Sequence, residues 1–326
     1  MISEKKFTVS HAPFWHDGSN ISTRSYNIMI AALPAVLFGL HQYGIPAVGV
    51  VALSISSAIL WELLMNVVMK RSVSTGDGNA ALIGILFAML IPATSPWWLV
   101  ITGTFFAVVI GKQIYGGIGS NPFNPVVLSV TILMVAWGSF FDFDNALKNY
   151  ELGFQMAYPL GVIKHAAKNP ELFNFSDITN SFNVLDMFMG KQIGGAGSTF
   201  GLGIVIGGIY LILRGIIRWE IPVSFLAGIF ITAFIFNMTD PSKYASPALH
   251  IVTGYTLIGA FFLATEDSSS PVNFLPMLIY GAGAGIMTVL IRNIGVYIDG
   301  VVFGILLMNL INPILDKIRP KALGKG

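Results

Sequence analysis

Ten apolar runs, separated by short polar breaks, cover most of the 326-residue chain. They fall at about 25–42, 45–69, 79–92, 97–114, 124–141, 200–217, 221–237, 248–265, 275–292 and 296–314. A helix that crosses a bilayer needs roughly 20 predominantly apolar residues. The pattern therefore predicts an all-α polytopic membrane protein with about ten transmembrane helices. The third run is short, with Gly84 inside it and Pro92 closing it. The fifth is barely longer and follows Asn-Pro-Phe-Asn-Pro. Segments that stop part-way are tolerated only where protein or a cavity covers their exposed backbone.

Composition agrees with a bilayer as solvent. The chain is 54% hydrophobic and 10% charged, against roughly 25% charged in soluble domains. A formal net charge of +2 and the lack of a basic arm give no reason to expect nucleic acid. The polar start, MISEKKFTVSHAPFWHDGS, lacks the apolar core of a signal peptide, so the first helix is expected to act as its own insertion signal. With no cysteine, disulfides, cysteine-ligated iron–sulfur clusters and a thiol nucleophile are excluded.

The basic residues set an orientation. With the N-terminus in the cytoplasm, helix ends and short loops on that side collect Lys5, Lys6, Arg24, Lys70, Arg71, Lys112, Arg214, Arg218, Lys317, Arg319, Lys321 and Lys325. The far side collects Lys243 and Arg292. Twelve against two follows the positive-inside rule, and ten crossings return the C-terminus to the cytoplasm. One long stretch, 142–199, then lies outside the cytoplasm and divides the chain into an N-terminal five-helix part (1–141), the connecting segment (142–199) and a C-terminal five-helix part (200–326). An odd number of crossings per half makes related halves inverted repeats. A faint echo between KQIYGGIGSNPFNPVV and RNIGVYIDGVVF, each running base, aromatic, glycine, valine pair, points the same way.

Three polar, glycine-rich stretches are candidates for chemistry: STGDGNAALIG (74–84), GKQIYGGIGSNPFNP (111–125) and ATEDSSSPVN (264–273). All face the cytoplasm in this topology. Glycine lets backbone approach a ligand closely, and free helix N-terminal amides favour anions or polar ring edges. Taken singly each is an ordinary turn; meeting on one side they would form a polar pocket under an apolar roof. Asn121 and Asn124 offer donors and acceptors suited to the heteroatom edge of a planar ring, and also suit the capping of the fifth helix. Glu62, inside the second run, is the costliest acid to bury. It is either part of an ion path or a side chain reaching the interface near Lys70. Of five histidines only His250 sits at a helix start in an apolar context, so no facing pair for haem is expected. The AGST segment, 196–199, puts the hydroxyl of Thr199 among small residues, expected to be accessible at the outer surface. A helix N-cap is the plainer role.

These residues resemble a known family. SHAPFWHDGSNISTRSYNIMIAALPA, TGDGNAALIGILFAMLIP, GKQIYGGIGSNPFNPVVL, GAFFLATEDSSSP and VVFGILLMNLINPILD look like RnfD, the D component of the Rnf complex, an ion-translocating ferredoxin:NAD oxidoreductase. RnfD is homologous to the B component of the sodium-pumping NADH:quinone reductase. The resemblance covers essentially the whole chain. It implies two inverted five-helix repeats in a urea-channel-like fold. It also implies FMN phosphoester-linked to Thr199, with Ser198 as the fallback carrier. Here A-G-S-T stands where the family has S-G-A-T; Ala196 replaces the usual serine, and Ile193 stands where an acidic residue is often found. A non-covalent riboflavin on the cytoplasmic side is implied at Asn121 and Asn124, with Lys112 a weaker candidate. No residue is assigned acid–base catalysis, none a metal, and no independent activity is expected.

The partners implied are the other Rnf subunits, including a flavin-bearing extracytoplasmic subunit and iron–sulfur subunits, in a bacterial or archaeal cytoplasmic membrane. Electrons would pass from the outer flavin partner through FMN and riboflavin toward the cytoplasm, coupled to Na⁺ or H⁺ movement. Two other readings are a passive urea-channel-like transporter, which has no need of AGST, and a quinone-binding membrane anchor.

Overall fold

A computed structural model describes residues 20–168 and 175–319. Lys5, Lys6, His11, His16, Lys321 and Lys325, and with them the expected placement of both termini, lie outside the described residues. Among the described residues regular structure is helical, with no strand. In chain order the helices are α1 (Ile21–Tyr43), α2 (Ile45–Val68), α3 (Asn79–Leu90), α4 (Trp97–Phe105), α5 (Pro125–Ala136), α6 (Phe143–Ala146), α7 (Pro159–Lys168), α8 (Phe175–Ser181), α9 (Val184–Phe188), α10 (Gly201–Leu213), α11 (Glu220–Thr239), α12 (Pro247–Val252), α13 (Thr256–Ile258), α14 (Phe274–Asn293) and α15 (Val301–Leu315). π-helical turns extend α4 over Phe106–Gln113 and α13 over Gly259–Leu263.

Each apolar run falls on helix, but not all as single full-length helices. By length and composition α1, α2, α11 and α14 are long and apolar enough to cross a membrane. The helices α3, α5, α10, α15 and the α4 unit are shorter apolar helices. The eighth run is broken: Gly254 takes φ +62°, and Thr253–Tyr255 separate α12 from α13. The fifth ends at Ala136 and the tenth starts at Val301, each some residues inside its expected bound. Caps explain several starts. Asn20 accepts from Thr23 N at 2.7 Å to begin α1, and Asn124 accepts from Val126 N and Val127 N to begin α5.

The four long helices bury only 28–44% of their apolar windows inside the molecule. Ile45, Leu60, Val67, Ile231 and Ile235 point outward, which is the surface a lipid solvent requires. Inside, α2 packs on α3 and α4, and α11 on α14, which in turn packs on α15. Two pairs join the halves, α1 with α10 and α5 with α15. Small residues make the first contact close: a Cβ on Gly207 would come within 2.0 Å of Ala31 O.

The 142–199 stretch, unassigned in the apolar pattern, folds as α6–α9 and a closing strap, 192–199. Ile163, Ala166, Phe175, Phe182 and Met187 form a small core there with Ala245 and Leu249. The strap lies against the end of α3. Gly197 N donates to Met89 O (3.2 Å), Ala196 N to Ile91 O (3.0 Å), and Tyr255 Oη to Leu90 O (2.6 Å). The short α3 thus has its terminal carbonyls satisfied by protein. The strap also touches α1 so closely that a Cβ on Gly39 would sit 1.5 Å from Ala196 O. Gly39→Ala is therefore expected to cost about 1–3 kcal/mol by overpacking and to lower the melting temperature in detergent; an unchanged melt would contradict this seat.

Candidate functional site

The three glycine-rich stretches meet. A cavity with an empty volume of about 910 Å³, mouth included, is lined by Asn79 from the first, Lys112, Asn121 and Asn124 from the second, and Thr265 and Glu266 from the third. Ile28, Leu86, Leu211, Phe261 and Phe262 supply apolar walls. The elements converge by their ends: the N-termini of α1, α3 and α5 with the C-termini of α10 and of the α13 π-turns. The middle stretch bends tightly because Gly116, Gly117 and Gly119 all take positive φ. Leu82 and Ile83 of the first stretch add apolar wall, and Asp77 accepts from Asn79 N (2.8 Å) at the start of α3.

Asn124 is committed to structure as well as lining the cavity. Its Oδ1 caps α5, its Nδ2 donates to Leu263 O (2.9 Å), and its N–H donates to Asn309 Oδ1 (3.2 Å). Asn121 is freer: Nδ2 donates to Phe123 O (3.0 Å) and Glu266 Oε1 (3.3 Å). Its Oδ1 makes no hydrogen bond among the described residues. At the mouth Arg24 donates to Ile216 O (2.5 Å) and pairs with Asp267. Burial pushes the Asp267 carboxyl up to about 6, against the pull of the Arg24 guanidinium beside it.

Lys112 lies 2.8 Å from Glu62 Oε1, with both side chains almost wholly buried. Ser74 Oγ (2.9 Å) and Gln113 Nε2 (3.3 Å) donate to the same oxygen, and Asn66 holds Ser74. Glu62 Oε2 has no partner among the described residues. Glu62 therefore does not reach toward Lys70. It turns instead to the buried ammonium of Lys112, which the π-turns after α4 bring against α2.

Thr199 lies at the other end of α1. The strap that carries it contacts Gly39, whereas Arg24, Ser25 and Ile28 of the same helix line the cavity. At 1.5 Å rise per residue, Arg24 and Gly39 are on the order of 20 Å apart along the helix. Thr199 is 2% exposed, so the expected accessible hydroxyl is instead enclosed; glycines at 194, 195 and 197 let the strap sink between α1 and α3. The expected cap is not made either, since α10 begins at Gly201 with Phe200 as its N-cap. Among the described residues the Thr199 hydroxyl forms no hydrogen bond of ordinary geometry, with the Tyr43 hydroxyl as a polar neighbour. Ser198, also buried, points to Gly195 O at 3.5 Å.

Several residues of this arrangement carry no strong sequence signal. Arg24 stands out in the sequence only as a positive charge, and Gln113 and Ser74 only as loop polars. Asn309 is one of two asparagines in an apolar run, a placement that costs free energy unless the amide is satisfied; that cost is the available clue. It donates to Ser269 O and Tyr280 Oη.

Residues 8–324 match the model of the NQR2, RnfD, RnfE family. Over 317 residues the chain is 33% identical to the D component of the proton-translocating ferredoxin:NAD(+) oxidoreductase complex of Clostridium ljungdahlii, covering 97% of this chain and 95% of that one. It is 32% identical over 319 residues to the D component of the Na(+)-translocating ferredoxin:NAD(+) oxidoreductase complex of Acetobacterium woodii (97% and 94%). It is 31% identical over 355 residues to the D component of the ion-translocating oxidoreductase complex of Pectobacterium atrosepticum (98% and 99%). The first two names differ in their ion at nearly equal identity.

Removing either member of the Glu62–Lys112 pair leaves a buried charge uncompensated. Glu62→Gln and Lys112→Met are each expected to destabilise by about 3–5 kcal/mol, and the Glu62→Leu/Lys112→Met double variant by less than either. Thermal unfolding of the three variants in one detergent checks this; additive losses would contradict it.

Proposed function

We propose a function from one premise: the chain belongs to the NQR2, RnfD, RnfE family and is a subunit of an ion-translocating oxidoreductase complex. Within that complex we read it as the membrane frame for FMN on Thr199 and riboflavin in the cavity at Asn121 and Asn124. It would stand between an extracytoplasmic flavin-bearing subunit and cytoplasmic partners, including iron–sulfur subunits, with Na⁺ or H⁺ moved in step. When bound, the flavins supply one-electron chemistry; the chain supplies placement, insulation and electrostatic environment.

The observation that carries the reading is the separation of the two centres to opposite ends of α1, with the apolar interior between them. Thr199 fits a phosphoester. Its hydroxyl makes no hydrogen bond of ordinary geometry among the described residues, and Gly194, Gly195 and Gly197 precede it in the strap. Because the strap closes over Thr199, attachment has to precede its seating on Met89 and Ile91. In the cavity Asn121 Oδ1 can accept from a ring N–H. Asn124 fixes the roof by tying α5 to the α13 turns, Phe261 and Phe262 exclude water, and Lys112 brings a positive charge tempered by Glu62.

The same reading assigns ten crossings, counting the short helices and the broken α12–α13 unit. The parts 1–141 and 200–326 are then inverted repeats that meet through α1 with α10 and α5 with α15. The cavity end is cytoplasmic, 142–199 lies outside, and both termini are cytoplasmic in a bacterial or archaeal membrane. The alternation of helix ends at the cavity supports this order.

Flavin attached to the chain makes its band fluoresce under ultraviolet light after denaturing electrophoresis. The chain from the assembled complex is expected to fluoresce, Thr199→Ala to lose the signal and the added FMN mass, and Ser198→Ala to keep both. A fluorescent Thr199→Ala band would overturn the assignment of Thr199.

A further inference from the structure

Lys243 and Arg292, the two basic residues on the minority side of the charge count, end up at one cavity. It has an empty volume of about 480 Å³ and lies at the C-terminal ends of α11 and α14, where α7 and α12 cover it. From α7 come Lys164 and Lys168. No acidic residue lines it among the described residues. Asp299, behind Arg292, is consumed by that guanidinium (2.9 Å) and by the N–H groups of Tyr255 and Val301.

Arg292 itself is a clamp, donating also to His250 O and Thr256 Oγ1. Lys164, Lys168 and Lys243 are in no ion pair among the described residues, although Lys164 donates to Tyr297 O. Burial and the charges of Lys168 and Arg292 push Lys164 down to about 8. Two further donors have no partner among the described residues. The His250 ring, 2% exposed, has both nitrogens buried without a hydrogen bond among the described residues, and so has the Asn293 amide nitrogen. Unsatisfied buried donors are costly; of the lysines, Lys164 is half-buried and Lys168 and Lys243 are exposed.

We propose that this cavity binds a phosphate group, held by Lys164, Lys168 and Lys243 with Asn293 and His250 as additional donors. Phosphate matches the arrangement because it offers several strong acceptors to donors arriving from different elements, and lysine serves it as a point charge. The group can arrive on an anionic lipid headgroup, since the cavity sits where apolar helices end, or on a soluble phosphate ester. The inference does not rest on the flavin reading.

The test uses the assembled complex in phosphatidylcholine nanodiscs, with wild type, Lys164→Gln/Lys243→Gln, and Lys191→Gln as a control on the same connecting segment. One arm titrates pyrophosphate by calorimetry. The other adds phosphatidylglycerol and counts retained lipid by native mass spectrometry. Saturable binding weakened at least tenfold in the double variant and unchanged in Lys191→Gln is the expected result, and the arm that shows it identifies the source. His250→Gln should weaken the same arm, leaving the melting temperature to report whether the fold survives. Binding in neither arm, or binding equal in wild type and double variant, overturns the proposal.

Discussion

Backbone that leaves the helix inside an apolar slab must find its hydrogen bonds within the protein. Here that constraint decides where the polar chemistry sits. At one end, α4 finishes in π-turns and α5 starts afresh. The freed groups are answered across the two halves of the chain: Asn309 Oδ1 accepts from the Asn124 N–H, and Asn124 Nδ2 donates to Leu263 O at the end of the α13 turns. At the other end the break between α12 and α13 is answered by Arg292, which donates to His250 O and Thr253 O, and by Asp299, which accepts from Tyr255 N. The truncated α3 is closed by the strap and Tyr255. Side chains recruited to satisfy broken helices are thereby concentrated at the two ends of the molecule, leaving apolar packing between.

Two buried ion pairs follow from the same arrangement and differ in completeness. Arg292–Asp299 is nearly saturated by neighbouring carbonyls, hydroxyls and N–H groups. This is the condition under which a buried pair repays its desolvation. Glu62–Lys112 keeps one carboxylate oxygen unpartnered among the described residues, and Lys112 lines the large cavity. A pair left incomplete next to a binding space responds electrostatically to what enters it, because the local dielectric is low.

Much of this was legible in the chain. Apolar periods located the helices within a few residues, and the three glycine-rich stretches announced one shared pocket because glycine, asparagine and serine have little reason to cluster three times at helix ends. Other features were not legible. Whether Glu62 meets Lys70 or Lys112 depends on how α2 crosses α4, a tertiary fact that local spacing does not contain. The burial of Thr199 depends on Gly39, far away in sequence, whose missing side chain admits the strap. The break at Gly254 lay inside an apolar run, where hydropathy is blind to a single positive φ. The folded connecting segment escaped because its helices are short and its core is shared with the α11–α12 loop.

If one chain keeps two flavins apart at the two ends of α1, flavin stoichiometry reports it most directly. The purified complex is denatured in acid, the chain is separated, and both the bound and the released flavin are identified by mass. One FMN retained on the chain and one riboflavin released for each copy is the predicted result. A correctly assembled complex whose chain retains no flavin, and which releases no riboflavin, would contradict it.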